Sequence, residues 1–511
     1  MSQTPQQVQL EGGNQPKGLL RFLNVIERMG NKLPEPFILF CYLALFVVII
    51  SAIVSALGVS VVHPGTGEDT PIKSLLSKEG ITYMLTEMLT NFTGFKPLGL
   101  VLAMMLGIGL AEKVGLLETA MKKTIVGAPK ALITYAVIFV GIMGNLASDA
   151  AFVIVPPLAA MVFYTVGRHP LAGLAAGFSG VGAGFTANLL VTGTDALLAG
   201  ISTEAAKTID PNVIVTPVSN WYFMGSSVIF LSVIAALVTE KIVEPKLGQY
   251  KGEVKVKMDE ATPQEVRGLR HAAFAGIAYV ALLVLAIFVP GSPLVNEKGG
   301  LIPSPFLDGI VPIILLFFVT VGVAYGVTVK KVTRTGDIPK YMAEAIKDMS
   351  GYIVLIFAAA QFIAYFNWSN LGTWVAVEGA NLLKAINLTG LGALIAFSIL
   401  AALLNLLIFS GSAQWALMAP IFIPMFMLLG FKPELVQAAF RIADSSTNVI
   451  TPLNPYIVVI LSFMKEYDKK AGFGTLISMM LPYSIIFLSF WIVLLIVFVV
   501  FGIPLGPGVS M

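Results

Sequence analysis

The apolar runs of this chain need a membrane to cover them, yet several are too short to cross one, and that tension limits the folds open to it. Thirteen runs fall near 36–58, 97–112, 131–147, 150–166, 171–192, 220–240, 271–290, 308–329, 350–366, 388–409, 416–429, 433–463 and 474–502. The hydrocarbon core is ~30 Å thick and a helix rises ~1.5 Å per residue, so a crossing takes about 20 residues and runs of 14 to 17 fall short. Two pairs of runs are separated only by small polar tips, "NLASDAA" at 145–151 and "FSGSAQW" at 409–415. These read as re-entrant hairpins at 131–166 and 388–429, leaving nine spans. With 57% hydrophobic and 12% charged residues and a mean hydropathy of +0.86, the chain reads as an all-α polytopic membrane protein.

The basic residues test the arrangement. With the N-terminus in the cytoplasm, 24 of the 32 Lys and Arg lie inside: those before residue 33, those from 113 to 130, Arg168, and those at 241–270, 330–347 and 465–470. Seven lie outside and Arg441 lies within the membrane, a bias that supports N-in, C-out. Residues 1–16 are polar and expected to be disordered, and residues 17–34 are expected to form an interfacial helix. The first apolar run is too long for a signal-peptide core. The lone Cys41 allows no internal disulfide and is expected to serve packing.

The two tips belong to an internal repeat. Ser148 precedes Pro156 by eight residues, as Ser412 precedes Pro420; each arm ends at Gly167 or Gly430, three residues before Pro170 or Pro433. A helix follows in each case and breaks down into "GVGAGFTANLLVTGTD" (180–195) or "RIADSSTNVITPLNP" (441–455). The expected organisation is a cytoplasmic N-terminus with its interfacial helix (1–35), a first repeat (36–240), a cytoplasmic loop and linking span (241–306), and a second repeat (307–511). Each repeat holds two spans, a hairpin, a broken helix (170–208 or 433–463) and a closing span. The odd linking span makes the second repeat enter from the opposite face, as inverted repeats do. Backbone leaves the helical state at membrane depth only where protein or a water-filled cavity satisfies it. Two tips and two breaks therefore imply one central polar site, with helix N-termini for an anion and freed carbonyls for a cation. This is transporter architecture.

Several strings in these segments resemble the p-aminobenzoyl-glutamate transporter (AbgT) family, in order and over nearly the whole chain: "ERMGNKLPEPF", "SDAAFVIVPP", "VGRHPLAG", "GFTANLL", "NWYFM", "FNWSN" and "FRIADSS". The resemblance implies a bacterial inner-membrane homodimer with nine spans and two hairpins per protomer. It also implies a water-filled bowl and cation-coupled movement of p-aminobenzoyl-glutamate, with export of sulfonamide antimetabolites by some members. Functional roles carry over to Asp195, Ser412, Trp415, Pro433, Arg441, Asp444 and Pro452.

Each residue also has a structural reading. An intramembrane Arg costs at least ~2.5 kcal/mol, so Arg441 is expected to face the cavity for substrate or coupling; the alternative is a neutralising pair with Asp444 three residues on. Asp195 and Asp149 need protons or partners at this depth; Asp195 is a candidate for ion coupling, and Asp149 either joins it or caps its hairpin arm. Trp415 offers a face for a benzoyl ring or simply packs. Ser412 and Asn188, as substrate contacts, and Asn448 and Asn454, as ion-coupling groups, supply oxygens or else hold unwound backbone. Pro433 and Pro452 act on substrate or by helix geometry alone. A sodium ion near Asp195, Asp444 and Ser148 is the one inorganic group expected, and no organic cofactor is. Gly180, Gly182 and Gly184 serve close packing or a hinge rather than a nucleotide loop. His169 is expected to be solvated.

The function expected is sodium- or proton-coupled secondary transport of p-aminobenzoyl-glutamate or related aromatic amide anions. The partners are this small-molecule substrate, lipid and a second protomer, with no nucleic acid. A sodium-coupled dicarboxylate carrier is the alternative. An intramembrane aspartyl hydrolase using Asp195 and Asp444 is remote, because the sequence reads "GTD" beside Arg441 rather than GxGD. No Walker A loop is present, so the chain does not drive transport with ATP by itself.

Overall fold

The computed structural model describes residues 31–62, 67–147, 150–252 and 261–509, with Val25, Arg28, Met29 and Pro64. Ser148, Asp149, residues 1–24 and most of the expected interfacial helix lie outside the described residues.

The first half runs α1 (Pro36–Ala56), a short β1–β2 hairpin (Ser60–Val62, Asp69–Pro71), α2 (Lys78–Thr86), α3 (Met88–Thr93), α4 (Lys96–Lys113) and α5 (Leu116–Val126). The hairpin arms α6 (Ile133–Met143) and α7 (Ala150–Thr165) follow, then α8 (Pro170–Ala183), α9 (Gly193–Ala206) and α10 (Trp221–Val238). A short α11 (Glu244–Leu247) and a long α12 (Pro263–Phe288) lead to α13 (Pro305–Asp308). The second half repeats the order: α14 (Ile310–Thr328), α15 (Asp337–Asp348), α16 (Ser350–Trp368) and α17 (Leu371–Ala385). The arms α18 (Gly390–Asn405) and α19 (Gly411–Met427), the broken pair α20 (Pro433–Thr447) and α21 (Ile457–Tyr467), and α22 (Phe473–Val500) complete it. Among the described residues seven helices are long and apolar enough to cross a membrane, or nine if each of two bent pairs counts as one span. That count includes 130–147; the chain returns at once from it into α7, and both arms pack on each other and on α8, which makes it a hairpin arm.

The packing is reciprocal between the halves. α1 packs on α16 as α14 packs on α4; α8 lies against α6 and α7 as α20 lies against α18 and α19; α9 meets α19 as α21 meets α7. Such exchange is what two-fold-related halves produce. Local sequence explains the shared shapes. Pro170 and Pro433 occupy the first helical turn of α8 and α20, where a missing N–H costs nothing. Pro156 in α7 and Pro420 in α19 release the carbonyls of Phe152 and Ala416 four residues back, loosening each second arm near its tip. α8 is buried along its whole length and α20 at every residue but Glu434, whereas α12 buries only Gly268, Ala272 and Gly276, the stripe that meets α14. Small residues let α6 and α8 approach: a Cβ on Gly180 would stand 2.8 Å from the Ile138 carbonyl oxygen and 3.1 Å from Gly141 Cα. The close-packing reading of Gly180 fits this contact.

Two bends were not anticipated. α4 and α5 meet at 58° through Gly115, whose φ of +90° suits glycine alone, and α17 and α18 meet at 117° through Asn387 and Gly390, both at positive φ. Cys41 is exposed on the outer face of α1, so it does not serve internal packing. His169 is not freely solvated: it is half-buried, its Nδ1 caps α8 by accepting from the Leu171 N–H at 3.2 Å, and its ring meets Tyr250 edge-on at 5.2 Å.

Candidate functional site

The breaks in α8/α9 and α20/α21 free backbone groups that burial would otherwise leave unpaired, and each hairpin's first arm ends in an asparagine that takes some of them up. Asn145 donates through Nδ2 to the carbonyl oxygens of Phe185 and Ala187, the latter at 3.1 Å, and its Oδ1 accepts from Asn188 Nδ2 at 2.6 Å. Asn188 Oδ1 in turn accepts from the Leu190 N–H at 2.9 Å. In the other half Asn405 Nδ2 reaches the Asp444 carbonyl oxygen at 2.6 Å, Thr447 Oγ1 at 2.9 Å and Asn448 Oδ1 at 2.9 Å. Asn454 donates to the Asn448 carbonyl oxygen at 2.9 Å and accepts from the Tyr456 N–H at 2.9 Å. Asn188 and Asn454 thus hold unwound backbone here, while Asn448 is itself held, its side chain by Asn405 and its carbonyl by Asn454.

The two breaks are tied directly. Thr186 donates its N–H to Ser445 Oγ at 3.1 Å, and its own hydroxyl lies 2.7 Å from the same oxygen. Arg441 Nη2 donates to the Thr186 carbonyl oxygen at 2.6 Å and makes an ion pair with Asp195 Oδ1 at 2.6 Å, both residues being buried. Asp195 Oδ2 accepts from Thr192 N–H at 2.7 Å and Thr192 Oγ1 at 2.9 Å, closing a capping box on α9. The ion-pair partner of Arg441 is therefore Asp195 on the opposite half and not Asp444 on its own helix. Chain folding, rather than helical spacing, selects the partner. Arg441 on one oxygen and Thr192 on the other already engage the Asp195 carboxylate in this conformation.

Next to this pair lies a cavity of about 400 Å3, within the range that holds small ligands. One wall comes from α4 and α16, through Val101, Met105, Ile108 and Tyr352. The N-termini of α9 (Thr192, Gly193, Thr194) and α19 (Ser410, Gly411, Ser412) form another, and the end of α20 adds Asp444 and Asn448. Each helix start carries roughly half a positive charge on first-turn N–H groups that have no partner within the helix. Asp444 is buried, and its Oδ1 meets no hydrogen-bond donor among the described residues; a Cβ on Gly411 would stand 2.7 Å from that oxygen. Asn405 Oδ1 and Gln414 Oε1 are likewise buried acceptors without donors.

Of the residues singled out from sequence, Ser412, Asp444 and Asn448 line this cavity; Asn188, Asp195, Pro433, Arg441, Pro452 and Asn454 are not part of its lining. Trp415 departs most from expectation. It is fully buried, donates from Nε1 to the Leu198 carbonyl oxygen at 3.2 Å and to Ser202 Oγ at 3.1 Å, and stacks on Phe440 with ring centres 4.4 Å apart. Its ring packs α19 against α9 and α20 and offers no face to a ligand in this conformation. Ser202 continues through Gln437 Oε1 at 2.7 Å to Asn220 at 2.9 Å, extending the buried network. Asn145, Thr186, Asn405, Gln437 and Ser445 were missed from sequence; the signal was their place at the end of a hairpin arm or within a broken helix.

The comparisons agree with this geometry. Residues 21–511 match the model of the AbgT putative transporter family. The p-aminobenzoyl-glutamate transport protein of Escherichia coli (strain K12) is 44% identical over 486 residues, which cover 95% of this chain and 96% of that protein. Among solved structures, the Alcanivorax borkumensis YdaH transporter superposes with a TM-score of 0.89 at 41% identity, covering 93% of this chain and 100% of its own. Neisseria gonorrhoeae MtrF, described with a class of antimetabolite efflux pumps, gives a TM-score of 0.90 at 44% identity, covering 96% and 100%. Family and relatives are transporters and not enzymes, which removes the aspartyl hydrolase reading, as does the pairing of Asp195 with Arg441. A multi-pass helical chain with a cavity between its two halves, matched from end to end by these proteins, belongs to the AbgT family of transporters.

Proposed function

We propose that the protein is a cation-coupled secondary transporter of p-aminobenzoyl-glutamate or related aromatic amide anions, and that outward movement of sulfonamide antimetabolites uses the same cavity. The observation that carries this reading is the meeting, in one cavity, of two helix N-termini and the Asp444 carboxylate with its unpartnered oxygen. The N-termini suit the carboxylates of a glutamyl group. An ionised Asp444 beside them opposes the same charges, so a proton or a sodium ion on Asp444 has to accompany the anion. The acceptor oxygens of Asn405 and Gln414, on helices packed around the end of α20, suit a small cation there better than at Asp195.

Movement is proposed as alternating access. The unit carrying both hairpins and both broken helices shifts against a scaffold that includes α1, α4, α14 and α16, and the cavity opens to either side along their boundary. A bacterial inner-membrane homodimer with cytoplasmic N-termini completes the proposal. The test is uptake of labelled p-aminobenzoyl-glutamate into proteoliposomes under separately imposed sodium and proton gradients, for wild type and Asp444→Asn. Gradient-driven uptake that becomes gradient-independent in the variant supports the reading. Gradient-driven uptake that Asp444→Asn leaves intact removes Asp444 from coupling, and wild-type protein that moves nothing removes the substrate.

A further inference from the structure

Two-fold packing of like halves would by itself give a cavity with two similar ends, and here the side chains make the ends different. At the end where α9 meets α19, Thr192, Gly193, Ser410 and Ser412 put two helix starts and their hydroxyls into the lining, beside Leu197, Leu198 and Phe409. At the corresponding end, where α21 meets α7, three aromatic rings stand in the lining beside Asn145, Leu146 and Pro455. Phe152 of α7 and Tyr456 at the start of α21 stack face to face, ring centres 4.5 Å apart and planes within 4°, and Phe185 of the first break lies 6.4 Å from Phe152 with its plane tilted by 27°. All three line the cavity.

We infer that Phe185 and Tyr456, backed by the buried Phe152, form the ring-binding subsite and thereby set the preference for aromatic over aliphatic acyl groups. This rests on the transport reading above and deepens it. A ligand with an aromatic ring at one end and carboxylates at the other matches the two ends of the cavity in one orientation only, whereas an aliphatic dicarboxylate uses the polar end and leaves the aromatic end with no partner. Offset or edge-on contact with a ring already held in a stack adds attraction beyond area burial, and no side-chain freedom remains to be lost. The stack joins one residue from each half, so it holds together only while α7 and α21 stay packed. Ring recognition is therefore linked to the arrangement of the hairpin-bearing unit. Trp415, sealed between α9 and α20, does not supply this surface.

The test is binding of p-aminobenzoyl-glutamate and of N-acetylglutamate, which lacks the ring, to purified wild type and to Tyr456→Leu, Phe185→Leu and Tyr456→Phe. The leucine variants keep apolar volume and lose the ring face. About a ten-fold loss of p-aminobenzoyl-glutamate affinity in each leucine variant, with N-acetylglutamate affinity unchanged and Tyr456→Phe close to wild type, supports the subsite. Wild type that prefers the aromatic ligand, with both leucine variants preferring it equally, overturns the subsite and leaves the substrate reading standing. Wild type that binds neither compound overturns both. A leucine variant that loses both ligands together points to misfolding of the unit and also overturns a ring-specific role.

Discussion

Neutralising one member of the Arg441–Asp195 pair has a cost that the geometry sets. The two groups are 2.6 Å apart and both are buried, with side-chain exposures of 1% and 8%, so solvent screens the pair little. Asp195→Asn keeps an oxygen for the Thr192 donors and removes only the charge, leaving the Arg441 guanidinium uncompensated with Nε already lacking an acceptor. Breaking a buried pair from one side costs about 3–5 kcal/mol, and Arg441→Met strands Asp195 at a similar cost. In Asp195→Asn/Arg441→Met no charge is stranded. The double variant should therefore lose about as much as one single variant, giving an interaction energy equal to one single loss, about 3–5 kcal/mol. Unfolding of the purified protein in mixed micelles by added sodium dodecyl sulfate, followed by circular dichroism, measures all four species. Losses that simply add in the double variant would refute the pair as the tie between the two breaks.

The remaining expectations concern the breaks and the loops. Asn405→Ala removes the donor for the Asp444 carbonyl oxygen and should cost about 1–3 kcal/mol in the same unfolding assay, as should Asn145→Ala in the other half. Gly411→Ala places a Cβ 2.7 Å from Asp444 Oδ1 and pushes the carboxylate aside, so gradient-driven uptake should fall at least several-fold while expression and detergent stability hold. Burial holds the pKa of His169 below its ordinary 6.5, since the neutral ring is the form that caps α8. Its contribution to stability is complete above that pH and is lost as pH falls through it; His169→Asn, which can also cap, should flatten the dependence between pH 7 and 5. At the start of α15, Asp337 accepts from Thr333 and Arg334 N–H groups, which hold its carboxyl well below the usual range, so Asp337→Ala should shorten α15 by helicity and leave uptake near wild type.

The spans, hairpins and breaks were legible because run length, polar tips and prolines are local signals. α7, α8, α19 and α20 begin and end within a few residues of their expected bounds. α5 and α17 escaped because Glu118, Lys122, Glu378 and Lys384 interrupt their apolar faces, so neither reads as a membrane run, and α15 because it is amphipathic. Within the site, the charged residues of the breaks were found, and their partners, with Asn145, Thr186, Asn405, Gln437 and Ser445, were not. Arg441 has an acid three residues away and pairs with one in the other half, and no spacing rule reaches across such a distance in the chain. Trp415 drew attention through the family resemblance and its ring. Phe152, Phe185 and Tyr456 are members of an abundant class, 33 Phe and 14 Tyr, and only packing separates the few that line a cavity from the rest.

The asparagines at the ends of the hairpin arms read the breaks through their carbonyl oxygens, as Asn145 does at Phe185 and Ala187 and Asn405 does at Asp444. A carbonyl is the same whichever residue bears it. The side chains of Phe185 and Ala187 are thereby released from the task of keeping the chain unwound, which stays with Asn188 and Asn454, and they can be exchanged to suit a new cargo without rebuilding the machine that carries it.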